Sequence, residues 1–427
     1  MKTKILENEK NSYILESLYR SNPQEFKDAF LEIYEDNPDS EIFQVWYERL
    51  FFEDKYDNIV PQKKSKISKN FIVTLILCIF AGFFVKLPDI FKFISNEHFN
   101  TRDLFSCFLP LLAIYYLINK KTKKIHWFIL ATVIIFALIY INLIPNNILD
   151  PKSPDMADTS ILVFIHMPIF LWFITGVSFI TPLFKNIENR INFLRFNGEI
   201  FVYSSLIGAG WVVLTGATAL LFSVAGIESG DFLTQWLIFI GFATTPILAV
   251  SILCNTKIKI KLASLLSKIF APLFALVLLV FIVITKFNPS KLFTEREILL
   301  GINIFLLLVV AINTFVSIDK QSDKTINFFD YNNLLLLLAS FFLEIHVMIN
   351  IISRLTSLGF TPNRTALVGI NILILIHLIG MIIFYIRWFT KKVDKSNGLS
   401  FIANYIPVYF YWSIFMVFIF PWLFSIR

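Results

Sequence analysis

Apolar residues are concentrated in eleven runs between residues 71 and 424, most of them roughly 18 to 24 residues long, with short polar loops between them. A bilayer hydrocarbon core about 30 Å thick needs roughly 20 helical residues to cross it. Because a backbone inside lipid must satisfy its own hydrogen bonds, each run is predicted to be a helix. The predicted spans are residues 71–86, 103–119, 125–144, 161–180, 200–223, 232–254, 270–287, 298–318, 331–353, 366–388 and 401–424.

The chain before the first apolar run has a different character. Residues 1–61 carry 14 Asp and Glu against 7 Lys and Arg, and they form three short amphipathic segments. The second segment begins with Asn22 and Pro23, a start signal for a helix. Residues 62–70 form a basic linker to the first span. The predicted fold class is therefore all-α: a polytopic transmembrane helical bundle of about 11 spans with a small N-terminal helical cytosolic head.

The distribution of basic residues predicts the orientation. With the N-terminus cytoplasmic, the inside flanks of the predicted spans hold 21 Lys and Arg, and the outside flanks hold 10. This bias places the C-terminus outside. We interpret the net charge of +7 as loops held against anionic lipid rather than as nucleic-acid binding. The acidic head either docks a cytosolic protein partner or caps the basic loops of its own bundle.

Two ionisable residues fall near the middle of predicted spans, Glu344 in the ninth and His377 in the tenth. Such residues are costly in a bilayer and are functional hypotheses by default. The candidate polar pathway is completed by His346, Asn350, Asn303 and Asn371. Two hypotheses stay open: a proton-carrying pathway through spans eight to ten, or a hydrogen bond that joins Glu344 to His377 or an asparagine and only holds helices together.

Motifs of familiar chemistry do not occur in this sequence. A P-loop, a Gly-x-Ser-x-Gly elbow and an HExxH zinc motif are all missing, and the three cysteines lack CxxC spacing. We therefore predict no catalytic residue, no cofactor and no metal. Residues 183–196 and 256–269 each carry apolar side chains on one face and basic ones on another, which predicts interfacial helices that either anchor to lipid or act in gating.

The run Arg190-Ile-Asn-Phe-Leu-Arg-Phe-Asn-Gly-Glu199 begins within the first of these segments, and Tyr203 follows four residues on. This run resembles a family of uncharacterised bacterial polytopic membrane proteins, a domain-of-unknown-function family. Further segments are similar to that family, namely Leu214–Thr218, Ala243–Pro246, Arg296–Leu300 and Ile406–Phe410. The resemblance covers roughly residues 160–424. It implies a multi-span fold in the bacterial cytoplasmic membrane, and it transfers no activity.

Three functions are compatible with these features. The best prediction is a permease-like or ion-coupled transporter, on the basis of the midplane acid and the breaks expected at three prolines within spans, Pro168, Pro246 and Pro272. The first alternative is a non-transporting scaffold or sensor whose output is the N-terminal head. The second alternative is a membrane enzyme on a lipid-linked substrate, for which the acidic loop Asp150–Asp158 is the candidate site.

Overall fold

In a computed structural model, the chain forms two compact units, Met1–Lys69 and Asn70–Arg427. Secondary structure is helical throughout the described residues, which confirms the all-α prediction. The structure describes residues 1–9, 11–37, 40–47, 49–50, 69–91, 99, 102–120, 122–145, 154–181, 186–224, 233–255, 262–287, 296–319, 326–394 and 396–424.

The first unit contains helices α1 (Lys2–Glu7), α2 (Ser12–Ser21), α3 (Pro23–Asp36) and α4 (41–47). As predicted, Asn22 caps the start of α3, and its Oδ1 accepts from the Glu25 backbone N–H at 3.3 Å. Aromatic side chains fill the centre of the unit, where Phe26, Phe30 and Phe43 are completely buried. The unit therefore has an apolar core of its own.

An ion-pair cluster ties two helical segments of this head together. Arg20 donates from Nε to Glu16 at 2.8 Å, and Arg49 contacts the other carboxylate oxygen of Glu16 at 2.7 Å. The Arg49 guanidinium also lies over the Trp46 ring, 4.7 Å from its centroid. These two guanidinium groups lower the pKa of Glu16 below its ordinary value.

The second unit carries the apolar helices. Its helices in chain order are α5 (Lys69–Val85), α6 (Leu87–Phe91), α7 (Leu109–Lys120), α8 (Lys124–Leu143), α9 (Pro154–Ile180), α10 (Ile187–Val224), α11 (Phe239–Asn255), α12 (Leu262–Phe287), α13 (Arg296–Asp319), α14 (Phe328–Leu358), α15 (Pro362–Phe389), α16 (Ser396–Ile414) and α17 (Phe420–Leu423). A 3-10 turn precedes α7, and π-helical turns precede α11 and α17.

Eight helices in the described ranges are long and apolar enough to cross a bilayer. Three shorter apolar helices, Asn70–Val85, Leu104–Lys120 and Lys268–Ile284, coincide with the first, second and seventh predicted spans. The second unit therefore has the helices of a multi-pass membrane protein. Its helices continue through Pro168, Pro246 and Pro272, where the sequence predicts breaks.

Helix α10 differs from the sequence prediction. The predicted interfacial helix and the fifth span are one continuous helix of 38 residues. Asn197 does not end it, because its Nδ2 donates to the Phe193 carbonyl at 2.7 Å and its Oδ1 accepts from Trp172 at 2.9 Å. Gly198 allows close packing, since a Cβ there would lie 2.5 Å from the Phe315 ring. Of the second predicted interfacial segment, residues 262–269 are the first turns of α12, and residues 256–261 lie outside the described residues.

Two apolar clusters organise the second unit. The first core is formed chiefly by α5, α7, α8, α9 and α11, around residues such as Tyr115, Ile141 and Leu171. The second core is formed chiefly by α12 to α16, around Leu306, Leu336, Val347, Ile374 and Leu378. Ile191 and Leu194 from the start of α10 are buried in the second core. The start of α10 therefore packs against other helices of the protein. Lipid anchoring alone does not account for its apolar face.

Candidate functional site

Helices α13, α14 and α15 all contribute buried residues to the second core. A capping box starts α14: Asn327 accepts from the Phe329 backbone N–H at 3.1 Å, and Asp330 accepts from the Asn327 backbone N–H at 2.9 Å. Gly359, with a φ of 81°, ends α14, and Thr361 caps α15. This short connection makes α14 and α15 an antiparallel hairpin.

A hydrogen-bonded layer fixes the relative register of the three helices. Asn333 on α14 donates from Nδ2 to the Tyr385 hydroxyl on α15 at 2.7 Å. The same hydroxyl lies 3.3 Å from the Ser317 hydroxyl on α13. Ser317, Asn333 and Tyr385 therefore lie at one level along the bundle.

The candidate site lies about fourteen residues away from that layer along each of the three helices. Fourteen residues correspond to about 21 Å and nearly four full turns, so a residue fourteen positions away lies on nearly the same helix face. The corresponding positions are Asn303 on α13, Val347 on α14 and Asn371 on α15. Glu344 lies one turn from Val347, on the same face of α14. No proline interrupts any of these helices beyond its first turn, so the register is maintained.

Glu344 is completely buried at this level. Neither of its carboxyl oxygens has a hydrogen-bond partner among the described residues. Its backbone is midway along α14, far from either end. A buried carboxyl group without a partner is strongly unfavourable, so its presence calls for a ligand or a proton.

Asn303 and Asn371 each present an oxygen without a donor. Their Nδ2 groups donate to the carbonyls one turn earlier in their own helices, to Leu299 at 2.9 Å and to Leu367 at 2.7 Å. Those carbonyls fix the amide orientation, because an amide oxygen could not face them. Each Oδ1 is buried and lacks a partner within the described part of the chain.

His377 does not pair with Glu344. Its Nδ1 lies 2.9 Å from the hydroxyl of Tyr409 on α16. Tyr409 is the residue that sequence reasoning missed, although its spacing of four from Tyr405 in the last span was a signal. The Tyr405 ring packs against the same imidazole at an interplanar angle of 53°, with ring centroids 4.8 Å apart.

His346 and Asn350 belong to a different face of α14. The His346 Nδ1 lies 2.9 Å from the Phe342 carbonyl, and its ring packs on the Phe342 ring. Asn350 donates to the His346 carbonyl at 2.7 Å. Both side chains are half-buried, unlike Glu344. The register thus places Asn303 and Asn371 at one level with Glu344 one turn away, whereas His346 and Asn350 lie on another face of α14.

The chemistry of this site is that of oxygen ligands. Among the residues that the structure describes, no group of three or more His, Cys, Asp or Glu side chains could hold a metal ion. Asp150, from the acidic loop considered above, lies outside the described residues. The arrangement can hold a proton or a small cation at Glu344, and it offers no nucleophile paired with a base.

The fold and the site define a class: a multi-pass α-helical membrane protein with a buried, incompletely bonded polar level in its second core. No protein-family model, curated protein or solved structure matches this chain.

Proposed function

We propose that the protein is a permease-like, ion-coupled transporter whose coupling ion passes Glu344. The observation that carries this proposal is the complete burial of a carboxyl group without a hydrogen-bond partner, midway along a membrane-spanning helix. Ionisable residues at this depth typically mark ion or proton pathways. Coupling-ion sites in secondary transporters lie near the bilayer midplane.

Two neighbouring features support the proposal. The hydrogen-bonded His377 and Tyr409 pair provides exchangeable protons on α15 and α16 of the same core. Pro407 leaves the Ala403 carbonyl in α16 without its usual backbone donor, and Arg190 of α10 donates to that carbonyl at 3.3 Å. The helix that carries Tyr409 therefore lacks one backbone hydrogen bond and is held at that turn by a side chain of α10. Such a locally weakened helix suits an element that moves during transport.

The proposed setting is the bacterial cytoplasmic membrane, with the N-terminus cytoplasmic and the C-terminus outside. It rests on the twofold excess of basic residues on the inside flanks and on the resemblance noted above. Cysteine-accessibility labelling tests it: a cysteine at position 60 should be protected from outside, and one at position 153 should react. The reverse pattern would contradict the orientation.

A second candidate function is a scaffold or sensor with the head as its cytosolic module. The compact first unit, with its own aromatic core, favours this alternative. Deleting residues 1–60 separates the two. A transporter whose head is accessory should retain ion flux after the deletion, whereas a sensor should lose its cellular effect.

Flux through proteoliposomes tests the proposed function. Purified wild-type protein should carry protons or Na⁺ down an imposed gradient faster than empty vesicles. Glu344→Gln should abolish this flux, because it keeps the shape and removes the charge. Asn350→Ala, on the other face of the same helix, is the matched control and should retain flux. Wild-type flux no greater than that of empty vesicles would contradict the proposal.

A further inference from the structure

We infer that Glu344, Asn303 and Asn371 form a binding site for a dehydrated monovalent cation, for which Na⁺ is the probe. This inference names the coupling ion of the transport function proposed above and in that sense rests on it. Four oxygen atoms carry the argument: both carboxyl oxygens of Glu344 and the Oδ1 atoms of Asn303 and Asn371, all buried and all without a donor.

All four oxygens are acceptors, and the register of the three helices places them within one helical turn of one another along the bundle. A proton on Glu344 would supply a single donor for this group, so most acceptors would remain unsatisfied. A cation satisfies several oxygens at once, and carboxylate and amide oxygens are the ligands that hard cations prefer.

Ser340 presents a further oxygen next to Glu344, on the side away from Asn303 and Asn371. It lies one turn before Glu344 on the same face of α14, is completely buried, and its hydroxyl has no partner in the described part of the chain. A hydroxyl oxygen can accept a cation while its proton points elsewhere. The number of oxygens around Glu344 therefore exceeds what one carboxyl group alone would offer.

The charge of the site selects the valence of the ion. Glu344 is the one carboxylate at this level of α13, α14 and α15. A monovalent cation makes a neutral pair with it, whereas a divalent cation would leave a net positive charge buried in an apolar core. The absence of a cluster of His, Cys, Asp and Glu within the described residues also argues against a transition metal.

Thermal stability in defined salts tests the inference with the full-length protein in detergent. A ligand that binds only the folded state raises the melting temperature as its concentration rises. The wild type should show a saturable increase with sodium chloride over choline chloride at equal ionic strength. Each variant is compared with itself in the two salts, so that any loss of intrinsic stability cancels.

Glu344→Gln, Asn371→Ala and Asn303→Ala should each weaken the apparent Na⁺ affinity by about tenfold or more, the range seen even for outer partners of metal sites. Asn350→Ala should match the wild type. A wild-type melting temperature that is equal in sodium and choline would overturn the inference. A sodium-dependent shift that survives both Glu344→Gln and Asn371→Ala would overturn it too, because the ion would bind elsewhere.

The flux assay distinguishes the two proposals. If flux requires Glu344 and proceeds equally in sodium and choline, the transport function stands and the cation site is wrong, with a proton as the coupling ion. If the sodium-dependent shift follows the three variants and no flux occurs, the cation site stands and the transport function is wrong.

Discussion

The first and second cores both bury charged groups, but they surround them differently. Beside the first core, Arg102 and Asp103 are each less than one-tenth exposed and bonded to each other at 2.7 Å. Asn142 accepts from Arg102 and donates to Asp103, so it bridges the pair. In the second core Glu344 is completely buried and has no such partner among the described residues. A satisfied buried pair is structural, whereas a lone buried carboxyl group points to function.

A groove of about 750 Å³ lies beside the first core and is lined by aromatic and aliphatic side chains, among them Phe105, Phe164 and Trp172. Such a lining suits an acyl chain and gives an ion nothing to bind. The orphaned oxygens of Asn303, Asn371 and Glu344 lie in the second core instead. Ion chemistry is therefore expected in one core and lipid contact beside the other.

Breaking the satisfied pair is expected to have the largest effect on stability. Arg102→Ala leaves the Asp103 carboxylate buried without its guanidinium, and removing one partner of a buried pair costs about 3–5 kcal/mol. The melting temperature of the detergent-purified protein should fall accordingly. The double variant Arg102→Met/Asp103→Leu removes both charges and should regain most of the loss. A wild-type melting temperature for Arg102→Ala would show that the pair is not structural.

The opposite result is expected in the second core. In sodium-free buffer, Glu344→Leu removes an unsatisfied buried polar group, whose burial costs about 1–3 kcal/mol, and should therefore raise the melting temperature. The same variant should have no ion flux, as expected where function is maintained at the expense of stability. A destabilised Glu344→Leu protein would mean that the carboxyl group is satisfied and holds the helices together.

A smaller loss is expected at the layer that fixes the register. Tyr385→Phe removes the hydroxyl that Asn333 and Ser317 contact, and a net hydrogen bond contributes about 0.5–1.5 kcal/mol. The melting temperature should fall modestly in both sodium and choline, and the sodium-dependent shift should persist. Leu378→Ala, an apolar change at the same interface, is a control for packing loss without hydrogen-bond loss. An unchanged melting temperature for Tyr385→Phe would show that the hydrogen bonds of this layer do not stabilise the protein.

The smallest expected effect is in the head. Because Arg20 and Arg49 lower the pKa of Glu16 in the folded state, this group stabilises the head above the ordinary carboxyl pKa and loses that contribution as the pH falls through the lowered value. Protease cleavage within residues 1–50 of the full-length protein should therefore increase on acidification. Glu16→Gln should show a flatter response over the same pH range. Identical pH profiles would indicate that the cluster does not contribute.

The sequence was sufficient for the fold because an apolar run of roughly 20 residues leaves a backbone in lipid only the helix. It was also sufficient to place Glu344 and His377 deep in neighbouring spans, since depth follows from counting. It could not predict that His377 pairs with Tyr409, because that depends on how α16 packs against α15. The continuity of α10 was missed because Asn197 and Gly198 look like helix breakers until Trp172 and Phe315 are seen beside them.

The most direct test of the account is the competition between Na⁺ and chemical modification at Glu344. A hydrophobic carbodiimide reacts with protonated carboxyl groups in apolar surroundings, and a cation bound to the carboxylate displaces that proton. At constant pH and ionic strength, mass spectrometry should find Glu344 labelled more slowly in sodium chloride than in choline chloride, with Asn371→Ala losing the difference. Equal labelling rates in the two salts for the wild type would contradict the claim that Glu344 is retained to bind a cation.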